Sequence, residues 1–114
     1  MERGEHAPDT LLFICSRNRD RSLTAEHLFS GQNRFLVRSA GTLDGARIKV
    51  TSGHVRWGEI IFVMESRHHE LLQSRFPTEL RGKQLVCLFV SDDFTYGEEE
   101  LITLLQNRQA AHIH

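Results

Sequence analysis

Leu11-Leu12-Phe13-Ile14, between Thr10 and Cys15, is an apolar run with no polar alternation. A strand with one wet face alternates, whereas a strand covered on both faces does not. Glu59 to Met64 and Gln84 to Val90 repeat the pattern, and Arg34 to Arg38 gives a shorter strand that ends in the turn Ser39-Ala40-Gly41-Thr42. The segments between them are helical. Residues 22–30 offer Leu23, Leu28 and Phe29 inward, with Gly31 as the C′ residue. Ser66 is placed to cap a helix reaching about Phe76, with Leu71, Leu72 and Phe76 on its apolar side and Pro77 beyond it. A last helix starts near Glu98 and turns Leu101, Ile102, Leu104 and Leu105 inward. Residues 43–57 read as a loop with a brief helical turn near Ser52 to Trp57.

Strands alternating with helices predict an α/β fold: a single three-layer, flavodoxin-like domain around a four-stranded parallel sheet. Right-handed crossovers put the carboxyl end of every strand on one rim, where ligands bind such sheets. Cys15, Ser39 to Thr42 and Asp92 follow three different strands and are expected to meet there.

At 114 residues, with 39% apolar and 25% charged residues, the chain reads as one domain over 10–109 between a flexible tail (1–9) and a short end (110–114). A net charge of −1 gives no reason to expect nucleic acid as a partner, and no apolar run is long enough for a membrane. Without a signal-like apolar stretch near Met1, a cytoplasmic location is expected. Cys15 and Cys87 are then free thiols, Cys87 serving as a small buried hydrophobe. Adjacent His68 and His69 point in different directions on a helix and read as a solvated face rather than as metal ligands. No metal or cofactor is expected.

The chemistry lies in Cys15-Ser16-Arg17-Asn18-Arg19-Asp20-Arg21-Ser22. A loop turning from strand to helix can aim successive N–H groups inward as an anion nest, and the helix N-terminus adds positive charge. Arg21 offers a planar fork to two phosphate oxygens. The same field favours a thiolate, the nucleophilic form of a cysteine. Displacement at phosphorus also needs a proton for the leaving group, and Asp92 or Asp93, after strand four, can supply it.

These residues resemble the low-molecular-weight protein tyrosine phosphatases, in particular a compact bacterial-type branch. The family signature is a Cys, five residues, Arg and Ser after the first strand, with Asn at the fourth place, as in Cys15, Asn18, Arg21 and Ser22. Thr24-Ala25-Glu26 resembles its helix start, Ser39-Ala40-Gly41-Thr42 its serine-containing loop, and Ser91-Asp92-Asp93-Phe94 its acid loop. The resemblance implies Cys15 as nucleophile, Arg21 as phosphate holder, Ser22 as hydrogen-bond partner of the thiolate, Asn18 and Ser39 as braces, and Asp92 as general acid. Ser16, Arg17, Arg19 and Asp20 complete the phosphate loop, and Phe94 or Tyr96 lines the wall. The implied substrate is a phosphotyrosine protein or a small aryl phosphate, with inorganic phosphate as product. The chain is short between Thr42 and Trp57, where the larger enzymes carry an aromatic wall. It has Asp92-Asp93 where Asp-Pro is usual, so either carboxylate can serve. Its loop interior, Ser16 to Asp20, is charged where the family has small and apolar residues. An arsenate reductase and a non-catalytic phosphate-binding module are the competing readings; the first needs further reactive cysteines, and only Cys87 is available.

Overall fold

The structure, a computed structural model, describes residues 9–32 and 34–112. Its elements are β1 (Asp9–Cys15), α1 (Arg21–Ser30), β2 (Phe35–Gly41), α2 (Ser52–Trp57), β3 (Ile60–Val63), α3 (Ser66–Arg75), β4 (Gln84–Cys87) and α4 (Glu99–Ala110). The sheet is parallel in the order β2-β1-β3-β4, as the alternation of strands and helices predicts.

The unbroken apolar run of β1 is explained by its central place. Leu11, Leu12, Phe13 and Ile14 have no exposed surface. Leu11, Phe13 and Cys15 pack with Phe29 of α1, Phe62 of β3, and Leu101 and Leu105 of α4. Leu12 and Ile14 pack on the other face with Val55 of α2, Ile61 and Val63 of β3, and Leu72 of α3. Phe13 stacks on Phe29 at 5.5 Å and on Phe62 at 5.0 Å between ring centroids. Each such fully buried side chain contributes about 1.5–3 kcal/mol of transfer free energy. α1 and α4 therefore cover one face, α2 and α3 the other, giving the three layers.

Several boundaries differ from expectation. Asp9 belongs to β1, opposite Phe35, and the rest of the expected N-terminal tail lies outside the described residues, as do residues 113 and 114 of the expected C-terminal end. Gly31 ends α1 with φ −76°, so its glycine freedom is not used there. Leu23 is only half-buried; the buried stripe of α1 includes Ser22, Ala25 and Phe29. Glu65, not Ser66, is the N-cap of α3. The β4 ladder stops at Cys87, which is half-buried, because Phe89 turns into the left-handed region (φ 56°) with its side chain 65% exposed. The chain still runs beside β3: Leu88 N–H donates to Val63 O at 2.8 Å and Val90 N–H to Met64 O at 2.8 Å. None of the described helices is long and apolar enough to cross a membrane.

β2 runs on through Ser39, Ala40 and Gly41, which pair with Phe13, Ile14 and Cys15. Ser39 is thus a strand residue rather than a turn serine. Beyond it the chain follows the loop after β1: Thr42 N–H donates to Cys15 O, Leu43 N–H to Ser16 O (both 3.0 Å) and Arg47 N–H to Arg17 O (2.9 Å). The approach is so close that a Cβ on Gly41 would lie 2.6 Å from Ser16 O and 2.7 Å from the Ala46 Cβ. Gly41→Ala should therefore destabilise the fold by about 1–3 kcal/mol, the usual cost of forcing atoms into a packed site. Gly31→Ala, with nothing within 4 Å of its Cβ, should stay within about 0.5 kcal/mol of the parent. Urea midpoints of both variants check this; equal midpoints would contradict it.

Candidate active site

β1 ends at Cys15 and α1 begins at Arg21, so residues 16–20 form the connecting loop. Asn18 sits at its centre with φ 58°, a left-handed conformation that Asn tolerates better than most residues. Its backbone N–H then donates to Cys15 Sγ at 3.3 Å. Its fully buried amide Nδ2 donates to Ser22 Oγ and to Ser39 Oγ, both at 2.8 Å. Ser39 Oγ donates in turn to the Glu26 carboxylate. A carboxylate only accepts, so the single serine proton is committed there and Ser39 must accept from Asn18. That fixes the amide orientation. Ser22 likewise accepts from Asn18, which leaves its own proton for Cys15 Sγ, 2.9 Å away. Arg47 Nε closes the ring by donating to Asn18 O at 3.0 Å.

The carboxyl end of β3 supplies a part of the site that the sequence reading did not include. Arg21, 3% exposed, donates through Nη1 to Glu65 and to Val90 O at 2.8 Å. Arg67 grips the same carboxylate with its fork, Nε at 2.9 Å and Nη2 at 3.2 Å. Burial opposes charge on Glu65, but the two guanidiniums outweigh it and hold its carboxyl below the usual range. His68, expected on a solvated face, is instead 1% exposed. Its Nδ1 accepts from Glu65 N–H at 3.1 Å, so Nε2 carries the proton and donates to Ser16 Oγ at 2.9 Å. Burial, with Arg21 and Arg67 nearby, pushes the imidazole down to about 4, against the opposing pull of Glu65 and Asp92. The Glu65-x-x-His68 spacing at a helix start was the signal available. No cluster of three or more metal-ligating groups occurs among the described residues.

Above the loop lies a pocket of about 290 Å³, into which Cys15, Ser16, Arg17, Arg19, Asp20 and Arg21 all open. Asp92 and Phe94 arrive from the segment after β4, Leu43 from that after β2 and Arg67 from α3. The convergence expected at the sheet rim therefore includes Asp92. Asp93 does not line the pocket; it is exposed and accepts from Ser91 Oγ at 3.3 Å. Tyr96 is also outside it. Its N–H donates to Asp20 Oδ1 at 2.9 Å, its hydroxyl lies 2.6 Å from His27 Nδ1, and Gly97 N–H donates to Thr24 Oγ1 at 3.0 Å. Tyr96 and Asp20 thus dock the loop after β4 onto the first turns of α1. Glu65, Arg67 and His68 were missed because the sequence reading followed only three of the four strand ends; Leu43 lies one residue past the Ser39 to Thr42 segment that it did follow.

Because His68 is buried uncharged, its protonation favours the unfolded chain, where the ordinary value is 6.5. Its contribution is complete above about pH 6.5 and is lost as pH falls toward 4, with a slope of up to ~1.4 kcal/mol per pH unit. Glu65 adds its own loss only as pH falls below the ordinary 4.5. Urea unfolding from about pH 7 to about pH 4.5 should show the parent weakening more steeply than His68→Gln, which keeps the loss from His54, an imidazole that burial and the nearby Arg38 also hold low. A parent as stable at the acid end as at neutrality would contradict the assignment.

No protein-family model and no curated protein sequence matches the chain. Solved structures do. The arginine phosphatase YwlE from Geobacillus stearothermophilus is 22% identical, with a TM-score of 0.64 over 94% of this chain and 99% of that one. The tyrosine phosphatase Wzb from Escherichia coli K30, in complex with phosphate, is 23% identical, with a TM-score of 0.68 over 90% and 94%. A thioredoxin-dependent arsenate reductase from Corynebacterium glutamicum is 19% identical, with a TM-score of 0.60 over 94% of this chain and 59% of that one. The chain has the fold of the low-molecular-weight tyrosine phosphatases, a fold that also serves an arginine phosphatase and an arsenate reductase.

Proposed function

We propose that this chain is a cysteine-dependent phosphomonoester hydrolase of the tyrosine phosphatase type. The observation that carries the reading is the surroundings of Cys15 Sγ. Ser22 Oγ at 2.9 Å and Asn18 N–H at 3.3 Å point donors at the sulfur, at the floor of a pocket that also holds Arg21 and Asp92. In the first step the Cys15 thiolate attacks phosphorus, the bond to the leaving oxygen breaks, and Asp92 as the acid gives that oxygen its proton. Arg21 holds two phosphate oxygens while charge builds on them. In the second step water attacks the phosphocysteine, the Asp92 carboxylate takes its proton, and the P–S bond breaks. Inorganic phosphate leaves, and the thiolate returns to the Ser22 hydroxyl. No metal or cofactor enters the scheme. The half-buried Phe94 and the exposed Leu43 give the leaving group an apolar wall suited to an aryl ring. A free Cys15 suits a reducing compartment such as the cytoplasm.

The arsenate reductase reading gains no support from Cys87, whose thiol burial pushes upward, away from the reactive thiolate.

Cys15→Ser should abolish turnover of p-nitrophenyl phosphate while inorganic phosphate still binds; turnover at the parent rate would sink the proposal. Asp92→Asn should lower kcat by about 10²–10⁴-fold, the range for loss of a general acid, and more steeply for poor leaving groups. Asp93→Asn should leave kcat near the parent value. Steady-state kinetics over a series of substituted phenyl phosphates tests both, and the opposite ranking would move the acid to Asp93.

A further inference from the structure

The pocket carries four guanidiniums, Arg17, Arg19, Arg21 and Arg67, and two carboxylates, Asp20 and Asp92. Most of these charges are already engaged. Arg21 and Arg67 share Glu65. Asp20 accepts from Tyr96 N–H, and Asp92 lies 3.8 Å from Arg67. Arg17 and Arg19 differ: their side chains are exposed, they line the pocket, and neither makes a hydrogen bond or ion pair with any described side chain. Arg17 is fixed only through its backbone, whose carbonyl accepts from Arg47 N–H at 2.9 Å.

The remaining wall sharpens the point. Phe94 is the pocket's one aromatic residue among those described, and the segment after β2 contributes Leu43. A leaving group thus meets one ring, one aliphatic side chain and two uncommitted cations. A single phosphate held by Arg21 and the loop N–H groups leaves those two cations without a counter-charge from the substrate.

We propose that Arg17 and Arg19 select phosphomonoesters carrying a second anionic group, a carboxylate or another phosphate, beside the phosphate that is cleaved. The inference rests on the hydrolase reading above and names its substrate class. The two arginines act on substrate capture and orientation, with no part in bond breaking. Because they are exposed, the attraction is screened by salt.

Three phosphotyrosine peptides that differ only in flanking Glu, Gln or Lys residues test it, beside phenyl phosphate with and without a ring carboxylate. At low salt, kcat/KM for the Glu peptide should exceed that for the Gln peptide roughly 3–10-fold, the size of one or two exposed ion pairs, with the Lys peptide lowest. The advantage should shrink toward parity near ~0.5 M salt. Arg17→Glu with Arg19→Glu should invert the order in favour of Lys. Equal handling of the three peptides and of the two phenyl phosphates at low salt would overturn the proposal, and this needs only the parent protein. A preference confined to the peptides marks a phosphoprotein substrate; one confined to the phenyl phosphates marks a small phosphoester. Calorimetric binding of the peptides to Cys15→Ser separates the two ideas. Ranked binding without turnover by the parent overturns the hydrolase and keeps the anion preference, whereas turnover without ranking overturns the preference alone.

Discussion

The pair of hydrogen bonds from the Asn18 amide to Ser22 and Ser39 sets the geometry on which the site depends. It ties the loop to the first turn of α1 and to the last residues of β2, the two elements that follow it in the chain. Through Ser39 it reaches the Glu26 carboxylate, and through Ser22 it reaches the Cys15 sulfur. The loop is costly to hold. Asn18 keeps a left-handed backbone, and its Oδ1 is a buried acceptor without a partner among the described residues. Such an orphan costs about 1–3 kcal/mol, and left-handed backbone roughly 1–2 kcal/mol more. The compensation lies in the sheet below, where the fully buried side chains of β1 anchor the point from which the loop departs. Strain of this kind collects where a precise arrangement of donors matters more than stability.

The parts of this design visible in the sequence are those carried by local pattern. Unbroken apolar runs imply strands buried on both faces, and their alternation with helices implies a parallel sheet with a single rim. From that topology Cys15 and Asp92 meet without any knowledge of contacts. What escaped the reading was long-range or conformational. His68 looks like half of an exposed pair until β3 places it over Ser16, 52 residues away. The end of β4 at Cys87 depends on one left-handed residue, Phe89, that no hydropathy pattern marks. Tyr96 looks like a wall residue from its position in the loop after β4, but Asp20 and His27 take hold of it first.

Glu65 gives the rim its electrostatic order. One carboxylate binds two arginines, so it holds Arg21 by Nη1 while the residue lines the pocket. Val90 O shares Nη1, so the end of the β4 segment and the start of α3 together set the angle of the guanidinium. An arginine fixed from behind loses little freedom when it meets an anion, which is the condition for tight, directional phosphate binding. His68 works from the same place. Its neutral ring bridges Glu65 N–H and Ser16 Oγ, coupling the guanidinium's holder to the cradle itself.

Within the loop, bracing and charge alternate residue by residue. Ser16 and Asn18 turn inward and are buried, whereas Arg17 and Arg19 turn outward and are exposed. The inward pair holds the cradle to β2, α1 and α3, and any change there propagates into the position of the sulfur. The outward pair touches no brace. Its charge can be altered, or reversed, while the hydrogen bonds around Cys15 stay as they are. A fold that serves a tyrosine phosphatase, an arginine phosphatase and an arsenate reductase needs such a division, because function is set by residues grafted on a common frame. In this chain the division runs through four consecutive residues, Ser16 to Arg19, with the frame on one side of the loop backbone and selectivity on the other.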